Sequence, residues 1–503
     1  MAGKSRLSPQ NIRSVIEQLR GQCHLSPESA PLRIELARTL SLAGQLSEAT
    51  DLYFDLYEDG YSQPIVLAYL AVSLLEEGRV SEAILAGRAA VLGDSSLLFA
   101  RSNLLFALCC CDKVDPAALF QEHLEFGKLF PSPQPPVSRR RAGKIRVGFL
   151  CAWFNSHPVG RFSFPVVKSL DRSRFEVHCY FAGKFDDPVT GAFREASDHW
   201  RVITELDDTL AFEALKEDDL DILIELDGHT GGNRLSLVAQ KPARTVISWL
   251  GYPNTTGLPA VDYRIVDQLT DPEPLASAVN SETLIKLEAP FVVFSALDSP
   301  PVSRLPALQN GRVTFGVFGQ ALKHSECAVE AVSRVALAVP GSRLKILASA
   351  CRDQKVKEAV VNRFASRGIP VENIDCSGAR GTSEYLAAHH EVDVILDTFP
   401  FNGATTTCES LWMGVPRITL QGLTHRERVS SSFLTAAGYP ELVATGVDEY
   451  VEIARGLAND LPRLAEMRAT MRDKLLASPL MDIPAFVKRF EDALVRVFSA
   501  HDS

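Results

Sequence analysis

The chain has 503 residues, 46% hydrophobic and 23% charged, with a formal net charge of −10. That length calls for about three domains. The acidic balance argues against a dedicated nucleic-acid binder, which needs a basic face, and no apolar run approaches the ~20 residues that span a bilayer.

Met1 to Arg20 is polar and amphipathic, without the apolar core of a secretory signal. The ten cysteines are scattered apart from Cys109-Cys110-Cys111, with no C-x-x-C pair and no tight Cys/His cluster of zinc type. Free, buried thiols in a reducing cytoplasm are expected, and the Cys triplet, which follows an apolar helical run, is expected to pack a helix.

An internal repeat governs residues 1–130. Gly44-Gln45-Leu46-Ser47-Glu48-Ala49 recurs thirty-four residues later as Gly78-Arg79-Val80-Ser81-Glu82-Ala83, and a degenerate third copy reaches Val114 and Ala117. Apolar residues at helical spacing flank each Gly. This is the tetratricopeptide period, two antiparallel helices per unit, with the shared Ala allowing close approach. The repeats should stack as a separate arm, and their use could be acceptor docking or dimerisation.

Residues 131–143 read as a Pro-rich linker carrying Arg139-Arg140-Arg141. From 144 to about 300, apolar runs at 145–150, 174–181, 220–226 and 245–249 alternate with helical patterns. The alternation restarts in 301–503, with strands at 312–318, 344–348, 392–396 and 417–420 and a C-terminal helix. Such runs predict two parallel sheets covered on both faces, hence two Rossmann-like lobes. Ligands of such sheets bind at the carboxyl ends of the strands.

Polar, Gly-bearing segments fall at those ends. They are Asn155-Ser156-His157-Pro158, Asp227-Gly228-His229-Thr230-Gly231-Gly232-Asn233-Arg234, Gly251 to Gly257, Gly319-Gln320-Ala321-Leu322-Lys323, and Asn402-Gly403-Ala404-Thr405-Thr406-Thr407-Cys408-Glu409. The last places three Thr at the start of a helix, where free amides and a partial positive charge favour phosphate. Glu409, about one turn on, could accept bonds from ribose hydroxyls. Asp219-Leu220-Asp221 opens a strand and so lies at the wrong edge for a metal, while Asp207-Asp208 and Asp218-Asp219 read as solvated.

These segments, with Asp262-Tyr263, Asp267 and Trp412-Met413-Gly414, resemble the O-linked N-acetylglucosamine transferase family, SPINDLY-type O-fucosyltransferases included. The likeness is collinear from about Lys144 to Phe498, and the repeat arm matches too. It implies a GT-B fold and inverting, metal-independent transfer of a sugar to Ser or Thr of an acceptor protein, with the nucleotide sugar as co-substrate and no further cofactor. Carried over, Gln320 and Lys323 match diphosphate contacts, Thr405 and Thr406 the phosphate-binding helix start, and Glu409 the acidic ribose ligand. His157 matches the histidine assigned as base or acceptor-positioning group, and His229 one that lines the sugar pocket.

Three departures bear on the donor. Ala404 replaces a His, Tyr385 stands at a nucleobase-contacting His, and Thr382 replaces a nearby Lys; a Tyr ring could still stack on a base. The resulting expectation is a cytoplasmic UDP-N-acetylglucosamine-dependent protein O-glycosyltransferase. Its partners would be a UDP-sugar and an acceptor protein bound partly by the arm, with no nucleic acid and no membrane, and self-association as the arm's other use. The alternatives are another donor (GDP-fucose, UDP-glucose or a bacterial surface sugar) and an inactive repeat-bearing scaffold.

Overall fold

The computed structural model describes residues 9–131, 133, 143–379 and 381–500. The Arg139-Arg140-Arg141 run and most of the Pro-rich linker lie outside the described residues.

Seven helices open the chain: α1 Pro9–Leu25, α2 Ala30–Ala43, α3 Leu46–Glu58, α4 Pro64–Glu76, α5 Val80–Gly93, α6 Leu98–Cys110 and α7 Pro116–Gly127. Gly44 and Gly78 turn the first two pairs at φ of +78° and +83°, a conformation that Gly adopts without strain. Ala49 and Ala83 are fully buried against the partner helices. The third copy departs from the expected period. A longer connection shifts its register, so Ala117 faces solvent and Leu119 takes the packed position. Cys109 and Cys110 pack the end of α6.

The first sheet contains β1 Ile145–Cys151, β2 Phe175–Phe181, β3 His199–Val202, β4 Ile222–Glu225, β5 Thr245–Trp249, β6 Tyr263–Asp267 and β7 Thr283–Leu287. The second contains β8 Thr314–Phe318, β9 Arg343–Leu347, β10 Ile374–Ser377, β11 Val394–Leu396, β12 Arg417–Leu420 and β13 Val443–Ala444. Their orders are β3-β2-β1-β4-β5-β6-β7 and β10-β9-β8-β11-β12-β13, and the pairings are parallel. This is the GT-B arrangement. The strand order reverses between β1 and β4, and again between β8 and β11. The loops that leave those four strands therefore diverge around a crevice in each lobe.

Two features depart from a simple chain of modules. The arm, expected to stack separately, packs on both lobes. Leu322 is buried in the arm's apolar cluster, Phe106 meets Phe401 edge-on at 5.9 Å, and Arg426 donates to the carbonyls of Leu108 (3.0 Å) and Cys109 (2.8 Å). On the first lobe, the Tyr252 hydroxyl lies 2.8 Å from His123 Nε2 and 3.1 Å from Cys109 Sγ. The terminal helix Ile483–Ala500 also crosses back to the first lobe. Phe490 packs on Trp249 at 4.7 Å, and Glu491 accepts bonds from the Asp171 amide (2.6 Å) and from Arg174 (3.1 Å).

The arm–lobe seam gives a sharp test at Gly127. Alanine is the better helix former by about 1 kcal/mol. A Cβ there would fall on the carbonyl oxygen of Gly257, whose own backbone sits at φ +73°. Overpacking typically costs about 1–3 kcal/mol, so the contact should outweigh the propensity. Gly127→Ala is expected to be less stable than the parent in thermal or urea melts; an equal or higher melting temperature would refute the tight seam.

Candidate functional site

The crevice of the first lobe begins where β1 ends. His157 caps the helix Pro158–Ser169, its Nδ1 accepting from the Val159 amide at 3.3 Å, and its ring stacks on Trp153 at 4.5 Å. Trp153 is fixed in turn by an indole N–H bond to the Gly231 carbonyl, 2.9 Å. Burial, aided by the Arg161 guanidinium, lowers the pKa of His157 to about 4. The ring is therefore neutral across the physiological range.

Behind this loop are two buried carboxylates. Asp227 accepts the Ala152 amide at 2.8 Å, and Glu225 accepts the Asp227 amide at 2.7 Å. Burial raises them to about 8 and about 7 respectively. Both bond inward, to the ends of β1 and β4.

The second lobe supplies the opposite wall. Lys323 closes a short turn after β8, donates to the Asn402 carbonyl at 2.9 Å, and lies 3.9 Å above the centre of the Phe401 ring. Burial lowers its pKa to about 8, against the pull of Asp397 and Cys110. After β11 the chain turns into the helix Thr405–Trp412, whose cap residue Ala404 offers no side-chain acceptor. The amides of Thr405 and Thr406 have no partner within the helix, while the Thr407 amide bonds to the Ala404 carbonyl at 3.0 Å. Thr405 Oγ1 and Asn402 Oδ1 are buried without a hydrogen-bond partner.

That helix is braced from behind. Asp397 and Arg417 form a buried ion pair of 2.7 Å. Asp397 also accepts the Gly403 amide (3.0 Å) and the Thr419 hydroxyl (2.9 Å), and Arg417 donates to the Thr406 carbonyl at 3.0 Å. The Lys323 ammonium, the Thr405 hydroxyl and the open helix amides are donors that can hold and neutralise an anion, whereas Asn402 Oδ1, an acceptor, can take only a donor. A neutral imidazole on the facing wall can orient a hydroxyl.

One of the contacts between the lobes starts beside His157; others are Ser432 to Asp267 and His425 to Asp271, each 2.6 Å. Arg161, one helical turn after His157, donates to Glu409 Oε1 at 2.8 Å and to Thr382 Oγ1 at 2.8 Å. Glu409, expected to face a ribose, is instead paired and 5% exposed. Burial raises its pKa to about 7 while Arg161 pulls it down. The i, i+4 spacing from His157 to Arg161 was the available signal for this residue; the partner, 248 residues away, left none.

The other expected residues divide. Gln320 is exposed before the Lys323 turn, and Ala404 and Thr406 line the helix start. Tyr385 packs edge-on against Phe318 at 5.9 Å with its hydroxyl buried and unpartnered, and burial raises its pKa. His229 does not line the crevice. It is 0% exposed in the arm–lobe seam, with Nδ1 3.0 Å from Ser102 Oγ and Nε2 2.8 Å from the Thr256 carbonyl. Both ring nitrogens are engaged, leaving none for a sugar. Asp208 is not merely solvated either, since it accepts Arg234 Nε at 2.9 Å.

Residues 109–296 and 303–490 match glycosyl transferase family 41, and the chain belongs to that family. It is 33% identical over 405 residues to the probable UDP-N-acetylglucosamine–peptide N-acetylglucosaminyltransferase SPINDLY of Arabidopsis thaliana, covering 78% of this chain and 44% of that protein. The rice (Oryza sativa subsp. japonica) protein of the same description is 34% identical, with the same coverage. The chain thus spans about 44% of the length of these relatives. Among solved structures, a mutant of the Thermobaculum terrenum O-GlcNAc transferase superposes with a TM-score of 0.92 at 28% identity. The match covers 97% of this chain and 94% of that one.

The Arg161–Glu409 bridge predicts a pH-dependent cost. Glu409 binds its proton more tightly in the folded chain than in the unfolded one, so stability falls as pH rises from about 4.5 to about 7 and levels off above that, once the folded carboxyl ionises. Arg161→Met would raise that pKa further. The difference between variant and parent should be small near pH 6 and open above pH 7, toward about 3 kcal/mol. Melts at pH 6 and 8.5 check this; a pH-independent difference would show that the carboxylate is not held by Arg161.

Proposed function

We propose that this family 41 chain is an inverting protein O-glycosyltransferase. It moves N-acetylglucosamine from UDP-N-acetylglucosamine to Ser or Thr hydroxyls of acceptor proteins, without a metal. The observation that carries this reading is the donor wall of the second lobe, made by the Lys323 ammonium, the unpartnered Thr405 Oγ1 and the open amides at the start of the Thr405–Trp412 helix, on the opposite side of the crevice from His157.

In this reading the donor diphosphate sits at the start of the Thr405–Trp412 helix, with Gln320 at its outer side. Lys323, held near pKa 8 by burial, regains full charge when the anion arrives. It then stabilises the departing nucleoside diphosphate, with the helix N-terminus supplying further positive potential. The base packs near Tyr385. The ribose takes Glu409, which must first exchange Arg161, so donor binding and the closure of the lobes are linked.

The acceptor hydroxyl enters from the first lobe and attacks the anomeric carbon on the face opposite the diphosphate. The neutral His157 ring accepts from the Val159 amide at Nδ1, so its proton is on Nε2, which donates to the acceptor oxygen and orients it. To take the hydroxyl proton at Nε2 the ring must first give up the Val159 bond and shift its own proton to Nδ1. With a pKa near 4 it is then a weak base that acts only as bond formation acidifies the hydroxyl. The arm presents acceptor proteins. The ten cysteines are free thiols and no helix among the described residues is long and apolar enough to cross a membrane; both fit a cytoplasmic setting. A GDP-sugar is the second reading, favoured by Thr382 and Tyr385 on the base side. A thermal-shift panel of UDP, GDP, CDP and their sugars decides between them, because the true donor raises the melting temperature most.

Two substitutions test the assigned roles. Lys323→Ala should lower kcat by about a hundred- to a thousandfold while the fold persists; native-rate transfer would remove the diphosphate from this wall. His157→Asn keeps a helix cap but removes the imidazole, whereas His157→Ala loses both, the cap alone being worth about 1 kcal/mol. If the imidazole acts on the acceptor, both variants should lose about two to four orders of magnitude in kcat/KM with donor affinity within a few fold. If Asn restored the rate, only the cap would matter.

A further inference from the structure

Glu176, His178 and His199 converge at the exposed edge of the first sheet, apart from the residues assigned to sugar transfer. Glu176 and His178 alternate along β2, so their side chains leave the same face. The parallel register sets His178 directly beside His199 at the start of β3, the edge strand. The two rings stack with centroids 4.3 Å apart. His178 Nε2 and His199 Nε2 lie 3.0 and 3.2 Å from the same oxygen, Glu176 Oε1, and all three ligand atoms fall within 4.8 Å of one another. A tetrahedral ion with bonds of about 2.1 Å holds its ligands roughly 3.4 Å apart. The spacing of this set is close to that, while the stacked rings, 24° apart, must turn so that both Nε2 lone pairs point at one ion.

The buried side of the cluster bears on the tautomer. His178 is 4% exposed, and its Nδ1 has no hydrogen-bond partner. The nearest acceptor is Asp218 Oδ2 at 3.8 Å, a carboxylate also held by Tyr180 (2.7 Å) and Arg201 (2.6 Å). If His178 gives its only proton to Glu176, a lone pair on Nδ1 faces Asp218. With an ion on Nε2 the proton moves to Nδ1 and points at that carboxylate, the arrangement that orients metal-bound imidazoles. One positive group opposes a cation here. Arg146 Nε is 3.8 Å from Glu176 Oε1, but its guanidinium also donates to the Asp218 carbonyl at 3.1 Å and lies 4.0 Å from Asp219.

We infer that Glu176, His178 and His199 bind a divalent transition-metal ion, Zn²⁺ being the best match to two imidazoles and one carboxylate, with water in the fourth position. His199 is half exposed and gives the ion access from solvent. The ligands sit toward the amino ends of β2 and β3, opposite the edge where the crevice opens. The ion therefore fastens the edge strand and takes no part in transfer.

The test uses the full chain, freed of metal with a chelator and titrated with ZnCl₂ by calorimetry. One ion per chain is expected, with a rise in melting temperature. His199→Gln, at an exposed position that tolerates the change, should weaken binding at least tenfold and abolish the rise. Co²⁺ in place of Zn²⁺ should give visible bands of tetrahedral intensity without thiolate-to-cobalt charge transfer. Absence of binding, undiminished affinity in His199→Gln combined with Glu176→Gln, or charge-transfer bands from a cysteine would each overturn the site.

Discussion

The buried pair of Asp397 and Arg417 is the interaction on which the second crevice depends. Two ions removed from water at such depth survive only when their remaining bonding capacity is filled. Here the Gly403 amide, the Thr419 hydroxyl and the Thr406 carbonyl fill it. Those bonds all come from behind the Thr405–Trp412 helix and the loop before it. Because the rear is satisfied, the helix start is held in place with its front polar atoms open. The same carboxylate offsets the burial that would otherwise discharge Lys323, so one pair fixes both the shape and the charge of the wall.

The arm belongs to this construction. Leu322 anchors in its apolar cluster, and Phe401, which underlies the Lys323 ammonium, packs on Phe106. Arg426 reaches from the second lobe to the end of α6. A partner that bent the arm would thus press on the turn bearing Lys323 through contiguous side chains.

Much of this architecture was legible in the linear sequence, because it rests on local patterns. Fully apolar runs marked the central strands, a repeated Gly-x-x-x-x-Ala marked the first two helix pairs, and the triple Thr marked a helix start. The misses have several causes. β6, β7 and β10 each carry a charged residue, Arg264, Lys286 and Asp375, that interrupts the apolar run. β3, with its His-Trp-Arg-Val sequence, is an edge strand with polar faces, and β13 is two residues long, so neither carries the buried-strand signature. His229 sits in a Gly-rich run at a strand end, as a ligand would, yet the chain turns its ring into the arm seam. Arg161 with Glu409, and Glu176 with His178 and His199, are joined by tertiary contact or strand register, which spacing along the chain does not encode.

The terminal helix has a consequence for the order in which the molecule can be completed. Trp249 lies in the fifth strand, yet its ring is covered by Phe486 and Phe490, and the turn at Asp171 takes its carboxylate partner from Glu491. During synthesis the first lobe is made early but keeps an uncovered indole and an unmatched backbone amide until residues 483–494 leave the ribosome. Domains generally mature in the order they are made; this lobe waits for a helix made after the second lobe. A ribosome that stopped after residue 480 would release a first lobe with its apolar flank open to any chaperone or neighbouring chain.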